Sequence, residues 1–145
     1  MKILVIGDSH GNIANLKHVM GFAKKVKVGA VIHTGDWNNL KSVDEVLSFR
    51  IPLYTVLGNA DVDPNFDLKD FLEFEIDGKK IYLVHRLLKK DTRYIGKDIV
   101  FTGHYHSQKI WEQDGVKIVR PGALEKDINF AIYDTKTNKV ELFHE

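Results

Sequence analysis

The chain is predicted to be an α/β (α+β) protein in which two β-sheets pack on each other with helices outside. Three observations carry this prediction. Up to residue 57, β-branched apolar runs alternate with helical stripes in the order βαβαβ. Beyond that point, short apolar runs flank Asp77-Gly78 and Asp114-Gly115, a composition typical of tight hairpins. Finally, four apolar runs end in glycine followed at once by a residue that can bind metal: Val5-Ile6-Gly7-Asp8, His33-Thr34-Gly35-Asp36, Val56-Leu57-Gly58-Asn59 and Phe101-Thr102-Gly103-His104. A fifth run, Lys80–Val84, ends in His85 without the glycine.

Taken in order, residues 2–7 read as a buried strand because both faces are apolar. Asn12 is suited to cap a helix over about 13–27, with Ile13, Leu16, Met20 and Ala23 forming its buried stripe. Residues 29–34 form the next strand. A short helix over 40–49 is expected to turn Val43, Val46 and Leu47 inward. Pro52 opens strand 52–57, at the one strand position where proline costs no ladder hydrogen bond. Residues 71–76, 79–84, 98–102, 108–113, 116–120, 128–134 and 138–143 follow as strands, expected to pair mostly antiparallel, with Thr137-Asn138 as a further turn.

The bulk composition narrows the function. A chain of 145 residues supports one core, so residues 1–145 are read as a single domain. Apolar residues at 43% suffice for a packed interior, and 28% charged residues suit a solvated surface. A net charge of +1 argues against an extended nucleic-acid surface. With no cysteine, disulfides and thiolate metal sites are excluded. The leading apolar run stops at Gly7-Asp8, too short for a signal core or a membrane span, so a soluble cytoplasmic protein without membrane attachment is expected.

Read as strands, the glycine-terminated runs deliver ligand-type side chains to one rim, which is where open α/β sheets place ligands. The pieces are Asp8-Ser9-His10, Gly35-Asp36, Gly58-Asn59, His85 and Gly103-His104-Tyr105-His106. Carboxylate, imidazole and amide oxygen together make a mixed N/O donor set. Such a set suits Mn, Ni, Fe, Co or Zn better than Ca or Mg.

These five blocks, in this order, resemble the calcineurin-like metallophosphoesterase superfamily, and within it the small YfcE-type phosphodiesterase branch. The resemblance runs from Gly7 to Gly122. It implies a metallophosphoesterase-like four-layer αββα sandwich, two mixed β-sheets flanked by helices. It also implies two divalent metal ions per chain, with Mn the first expectation. One ion would take Asp8, His10, Asp36 and His106; the other would take Asp36, Asn59, His85 and His104. Asp36, His10 and Asn59 would be the catalytic residues. Two carboxylates against two divalent cations leave a net positive centre that attracts a phosphodiester. Bound cations lower the pKa of water from 15.7 toward about 7, so a hydroxide bridging the pair would attack directly.

Substrate contacts are expected from Asn12, at the N-terminus of the first helix, and from Arg86. Here the sequence departs from the family pattern. His85-Arg86-Leu87 replaces the common His-Gly-His, Ala60 stands where many members carry histidine after the asparagine, and Arg120-Pro121-Gly122-Ala123 replaces Asn-Pro-Gly-Ser. His33 is read as a core histidine that donates a hydrogen bond, Trp37 as packing rather than a cleft wall, and His18 and His144 as lying outside any site. The expected function is a metal-dependent phosphodiesterase acting on a small phosphoester. The alternatives are a phosphomonoesterase, or a non-catalytic scaffold like the retromer subunit of this fold. A homo-oligomer is left open.

Overall fold

The computed structural model describes residues 1–145. The elements run β1 (Lys2–Ile6), α1 (Ile13–Lys25), β2 (Ala30–His33), α2 (Leu40–Leu47), β3 (Leu53–Thr55), β4 (Phe71–Ile76), β5 (Lys79–Val84), β6 (Ile99–Thr102), β7 (Gln108–Gln113), β8 (Val116–Pro121), β9 (Asn129–Asp134) and β10 (Lys139–His144). They form two five-stranded sheets, ordered β10-β9-β1-β2-β3 and β4-β5-β6-β8-β7.

Alternation along each strand sorts the core into layers. From β1, Ile3 and Val5 point between the sheets, where they meet Ile81, Leu83, Phe101 and Val119. Leu4 and Ile6 point the other way, onto Leu16, Val19, Met20 and Ala23 of α1. The unbroken apolar run of β1 thus reflects burial on both faces. On the second sheet, Tyr82, Val100 and Ile118 face outward beneath Tyr94 and Leu87.

Both sheets are mixed, as expected, and most pairings of the second half are antiparallel, with one parallel block as the exception inside the second sheet. β5, β6 and β8 run parallel, and the two hairpins β4–β5 and β7–β8 sit at the sheet edges. Residues 85–98 make this possible, because parallel neighbours need a crossover of about a dozen residues. This crossover contains no helix. Both helices therefore flank the first sheet, and irregular chain forms the layer outside the second. That chain is fastened by side chains: Tyr82 Oη donates to Asp91 at 2.5 Å, the Arg93 guanidinium lies 4.2 Å from the Phe71 ring centroid, and Tyr94 Oη donates to Asp114.

Each helix starts at an asparagine cap, the first of them the expected Asn12. Asn12 Oδ1 accepts the Asn15 N–H at 3.0 Å, and Asn39 Oδ1 accepts the Ser42 N–H at 2.9 Å. Caps of this kind contribute about 1 kcal/mol each. Leu47, expected inward, is instead 50% exposed. α2 ends at this residue, and Phe49 beyond it packs against the core in its place. No helix is long and apolar enough to cross a membrane.

Candidate metal centre

The parallel direction of β1, β2, β3, β5 and β6 brings five C-terminal strand ends to one rim. The loops leaving them stay paired past the strands. Asp8 N–H donates to Gly35 O, His10 N–H to Asp36 O, and Gly103 N–H to His85 O, at 3.0, 3.0 and 2.8 Å. The glycines before the ligand-type residues allow close approach. A Cβ on Gly58 would lie 2.2 Å from the Asp36 backbone nitrogen, and one on Gly103 would lie 2.8 Å from Asp8 Oδ2. Real Cβ atoms do not come so near, so any side chain there would push the two carboxylate loops away from their neighbours.

Four of the converging residues hold left-handed backbone: Asp8 (φ 48°), His10 (φ 44°), Asp36 (φ 66°) and His104 (φ 71°). This conformation is uncommon outside glycine and costs on the order of 1–3 kcal/mol per residue. It turns each side chain back over the rim immediately after a strand, and the paired loops hold it there.

All seven expected ligands face this rim, except that His106 reaches it from the more exposed side. Asp8 and Asp36 are buried, and His85 is 6% exposed. His10 Nε2 and His85 Nε2 lie 3.4 and 3.3 Å from Asp36 Oδ2. His106 Nε2 lies 3.9 Å from Asp8 Oδ1. Asn59 Oδ1 faces both His85 Nε2 at 2.9 Å and His104 Nδ1 at 3.1 Å. Two ligand-sized groupings emerge, Asp8 with His10 and His106, and Asp8 with Asp36 and His85. The first holds three of the four residues of one expected set, without Asp36. The second crosses the two sets, because Asp8 sits between them as well as Asp36.

Hydrogen bonds aim the imidazoles. Thr34 O can only accept, so His85 Nδ1 donates to it at 2.9 Å and leaves Nε2 directed at the rim. Asn38 Oδ1 likewise lies 3.0 Å from His10 Nδ1. Glu125 Oε2 stands 3.6 Å from His106 Nδ1.

The electrostatics fit a cation-binding role. Burial pushes the Asp8 carboxyl up to about 7, with the Asp36 charge adding and His85 and His10 opposing. Asp8 Oδ1 is fully buried, and no protein group donates a hydrogen bond to it. A buried acceptor without a donor is costly, and a cation bound there would remove that cost. For Asp36, burial acts upward too. The hydrogen bonds from His85 and the Ala60 N–H, with the charges of His85 and His10, outweigh it and hold the carboxyl at about 2. Burial alone would lower His85, but Asp36 and Asp8 raise it. Burial, then the charges of His85 and Arg86, lower His104.

Among the remaining predicted residues, Asn12 is committed elsewhere. Its oxygen caps α1 and its Nδ2 donates to Glu125 O at 2.8 Å, which leaves little of the amide for a substrate. Arg86 is exposed beside His85. Arg120 turns away: its Nε donates to Ser107 O at 2.8 Å, bracing the loop after His106. His33 is buried. It accepts the Gly35 N–H at Nδ1, so its Nε2 donates to Ser9 Oγ at 3.0 Å, as a core histidine would. Trp37 is fully buried and stacks on His33 at 3.5 Å, which makes it packing.

Sequence reasoning missed Asp61. Its buried carboxylate accepts N–H groups from Asp36 (3.0 Å), Asn38 (2.8 Å) and Gly58 (2.8 Å), clamping the Asp36 loop to the Asn59 loop. The available signal was an aspartate three residues after Gly58, in a segment with turn composition. Asn38 and Glu125 were missed as well, since nothing in the sequence places either beside a histidine.

The domain pattern of the calcineurin-like phosphoesterase superfamily matches residues 1–138. A phosphodiesterase of Methanocaldococcus jannaschii, MJ0936, is 25% identical over 138 residues, covering 84% of this chain and 83% of that protein. A probable metallophosphoesterase of Mycoplasma pneumoniae is 28% identical over 142 residues, covering 86% of this chain and 79% of that one. The structure of an archaeal phosphodiesterase superposes with a TM-score of 0.87 at 23% identity, over 100% of both chains.

Proposed function

Since the chain belongs to the calcineurin-like phosphoesterase superfamily, we propose that it is a metal-dependent phosphodiesterase acting on a small phosphoester substrate. The observation that carries this is Asp8 Oδ1, buried without a donor beneath converging imidazoles and a second carboxylate, while Oδ2 accepts the His104 N–H at 3.2 Å. The relatives named as a phosphodiesterase and a probable metallophosphoesterase support the reaction class.

Asp8, His10, Asp36 and His106 would hold one divalent cation, and Asp36, Asn59, His85 and His104 the other. The donors are oxygen and nitrogen throughout, so Mn is the first choice, with Ni, Fe, Co and Zn as alternatives. When bound, two such ions supply the acidity that makes water a nucleophile near pH 7, and positive charge for the phosphoryl oxygens. The chain's own part is positioning. Thr34 O and Asn38 Oδ1 direct the imidazoles of His85 and His10. Ala60 N–H holds Asp36 Oδ1 at 2.8 Å, leaving Oδ2 toward the rim. Arg86, exposed beside His85, would meet the substrate at the edge of this centre.

Elemental analysis with an assay of bis(p-nitrophenyl) phosphate against p-nitrophenyl phosphate, at saturating Mn, tests this. The wild type should retain two ions and favour the diester. Asp36→Asn should lose ions from both positions and reduce turnover by roughly a thousandfold or more, the scale of losing a group that serves both ions. A wild type that binds two ions and hydrolyses neither ester would sink the proposal in favour of a scaffold, whereas preference for the monoester would make it a phosphomonoesterase.

A further inference from the structure

A cleft of about 490 Å³ adjoins the candidate metal centre and shares His85 with it. This volume lies in the range that holds small ligands. One wall is the segment after β5, which carries Arg86, Leu88 and Lys90; Val84 and Leu57 line the cleft nearby. The wall is built rather than loose, since Asp91 accepts from Tyr82 and Arg93 packs over Phe71.

The charges along this cleft are unevenly matched. Arg93 is paired with Asp91 at 3.6 Å, and elsewhere Lys97, Lys117 and Arg120 are held by protein oxygens. Arg86 and Lys90 have no such partner, and Asp70, at the cleft's exposed edge, is the one acid left to oppose them. Two free cations in one concave surface, one of them planar and forked, match the charge of a phosphate dianion better than that of a carboxylate monoanion. Between them Leu88 is 55% exposed, an apolar surface against which the organic part of a ligand can lie.

We propose that this cleft is a second-phosphate subsite, formed by Arg86 and Lys90, that selects phosphodiesters carrying an additional terminal phosphate. The proposal rests on the phosphodiesterase reading above and narrows its substrate class. The arginine that replaces the family's usual glycine after His85 thereby acts as a specificity residue, one side chain removed from the reacting phosphate.

The test compares a thymidine dinucleotide with and without a terminal phosphate, placed at either end, on the Mn-loaded protein. The terminal phosphate should lower KM about tenfold, and Arg86→Gln and Lys90→Gln should each bring that ratio close to one. Metal content by elemental analysis should stay at the wild-type value in both variants, and Lys90→Gln guards against a disturbance of His85 by the adjacent substitution. Calorimetric binding of adenosine 3′,5′-bisphosphate against adenosine 5′-monophosphate gives a readout independent of turnover, with the same tenfold preference expected. If the wild type hydrolyses both dinucleotides with equal KM, the subsite is overturned while the phosphodiesterase reading stands. If it hydrolyses no diester, that reading falls, and equal calorimetric affinities for the two nucleotides would then overturn the subsite as well.

Discussion

The two halves of the rim are built differently. The loops after β1, β2 and β3 carry both carboxylates and the asparagine. Their carboxylates are buried, and the loops are left-handed at Asp8, His10, Asp36 and Asn38, paired backbone to backbone, and clamped by Asp61. The loops after β5 and β6 carry imidazoles, of which His106 is 46% exposed at its side chain and is aimed only by Glu125. The layers behind them follow the same division. Two helices back the first sheet, while an irregular crossover backs the second. The difference teaches that the charged half demands rigidity, because two carboxylates held close together repel and must be fixed against that repulsion. The imidazole half carries no carboxylate ligand and has the looser frame at His106, and Arg86 stands beside it.

The sharpest way to break this contrast is Asp61→Ala. It leaves three N–H donors without their acceptor, at about 1–3 kcal/mol each if they stay dry. Urea unfolding should show a loss on the order of 3–9 kcal/mol, and metal content should fall with it. Unchanged stability would mean that the loops of Asp36 and Asn59 hold each other without the clamp.

Asp8→Asn is expected to act with opposite sign in the metal-free and metal-loaded protein. The folded Asp8 carboxyl titrates near 7, above the ordinary 3.8. The metal-free fold therefore keeps a proton that the unfolded chain releases, and it loses stability as pH rises from about 4 to about 7. Asp36, held at about 2, works the other way: its contribution is present above 3.8 and is lost as pH falls toward 2. At pH 7.5 the metal-free Asp8→Asn variant should be more stable than wild type, by about 4 kcal/mol, and near pH 4 the two should coincide. With Mn the order should reverse. Thermal melts at the two pH values, with and without Mn, decide it; a metal-free variant that melts below wild type at pH 7.5 would contradict the account.

The smallest effect should come from the looser half. Glu125→Gln removes the carboxylate beside His106 and should weaken Mn binding by about tenfold at one position, with the melting temperature of the metal-free protein little changed. A loss at both positions would show that His106 is held as tightly as the carboxylates.

Most of the fold was legible because periodicity survives in the sequence. The runs read as strands and helices match the observed elements to within a few residues, and the hairpin turns at Asp77-Gly78 and Asp114-Gly115 are where composition places them. The candidate ligands were legible for a related reason: glycine at a strand end, followed by a carboxylate, amide or imidazole, is a local pattern. The parallel pairing of β5, β6 and β8 was not legible, since nothing within a strand records its neighbour's direction. Asp61 and Glu125 escaped because their partners are backbone N–H groups or a distant histidine.

By itself, then, the order of residues determined which segments become strands and helices, and which side chains stand at their ends, because those are properties of short stretches of chain. Only the tertiary structure decided that Asp8 lies between both ligand groupings, that Asp61 ties two loops together, and that Arg86 and Lys90 share a cleft with His85. Each of these depends on a distance between residues far apart in sequence, and such distances exist only once the two sheets have packed.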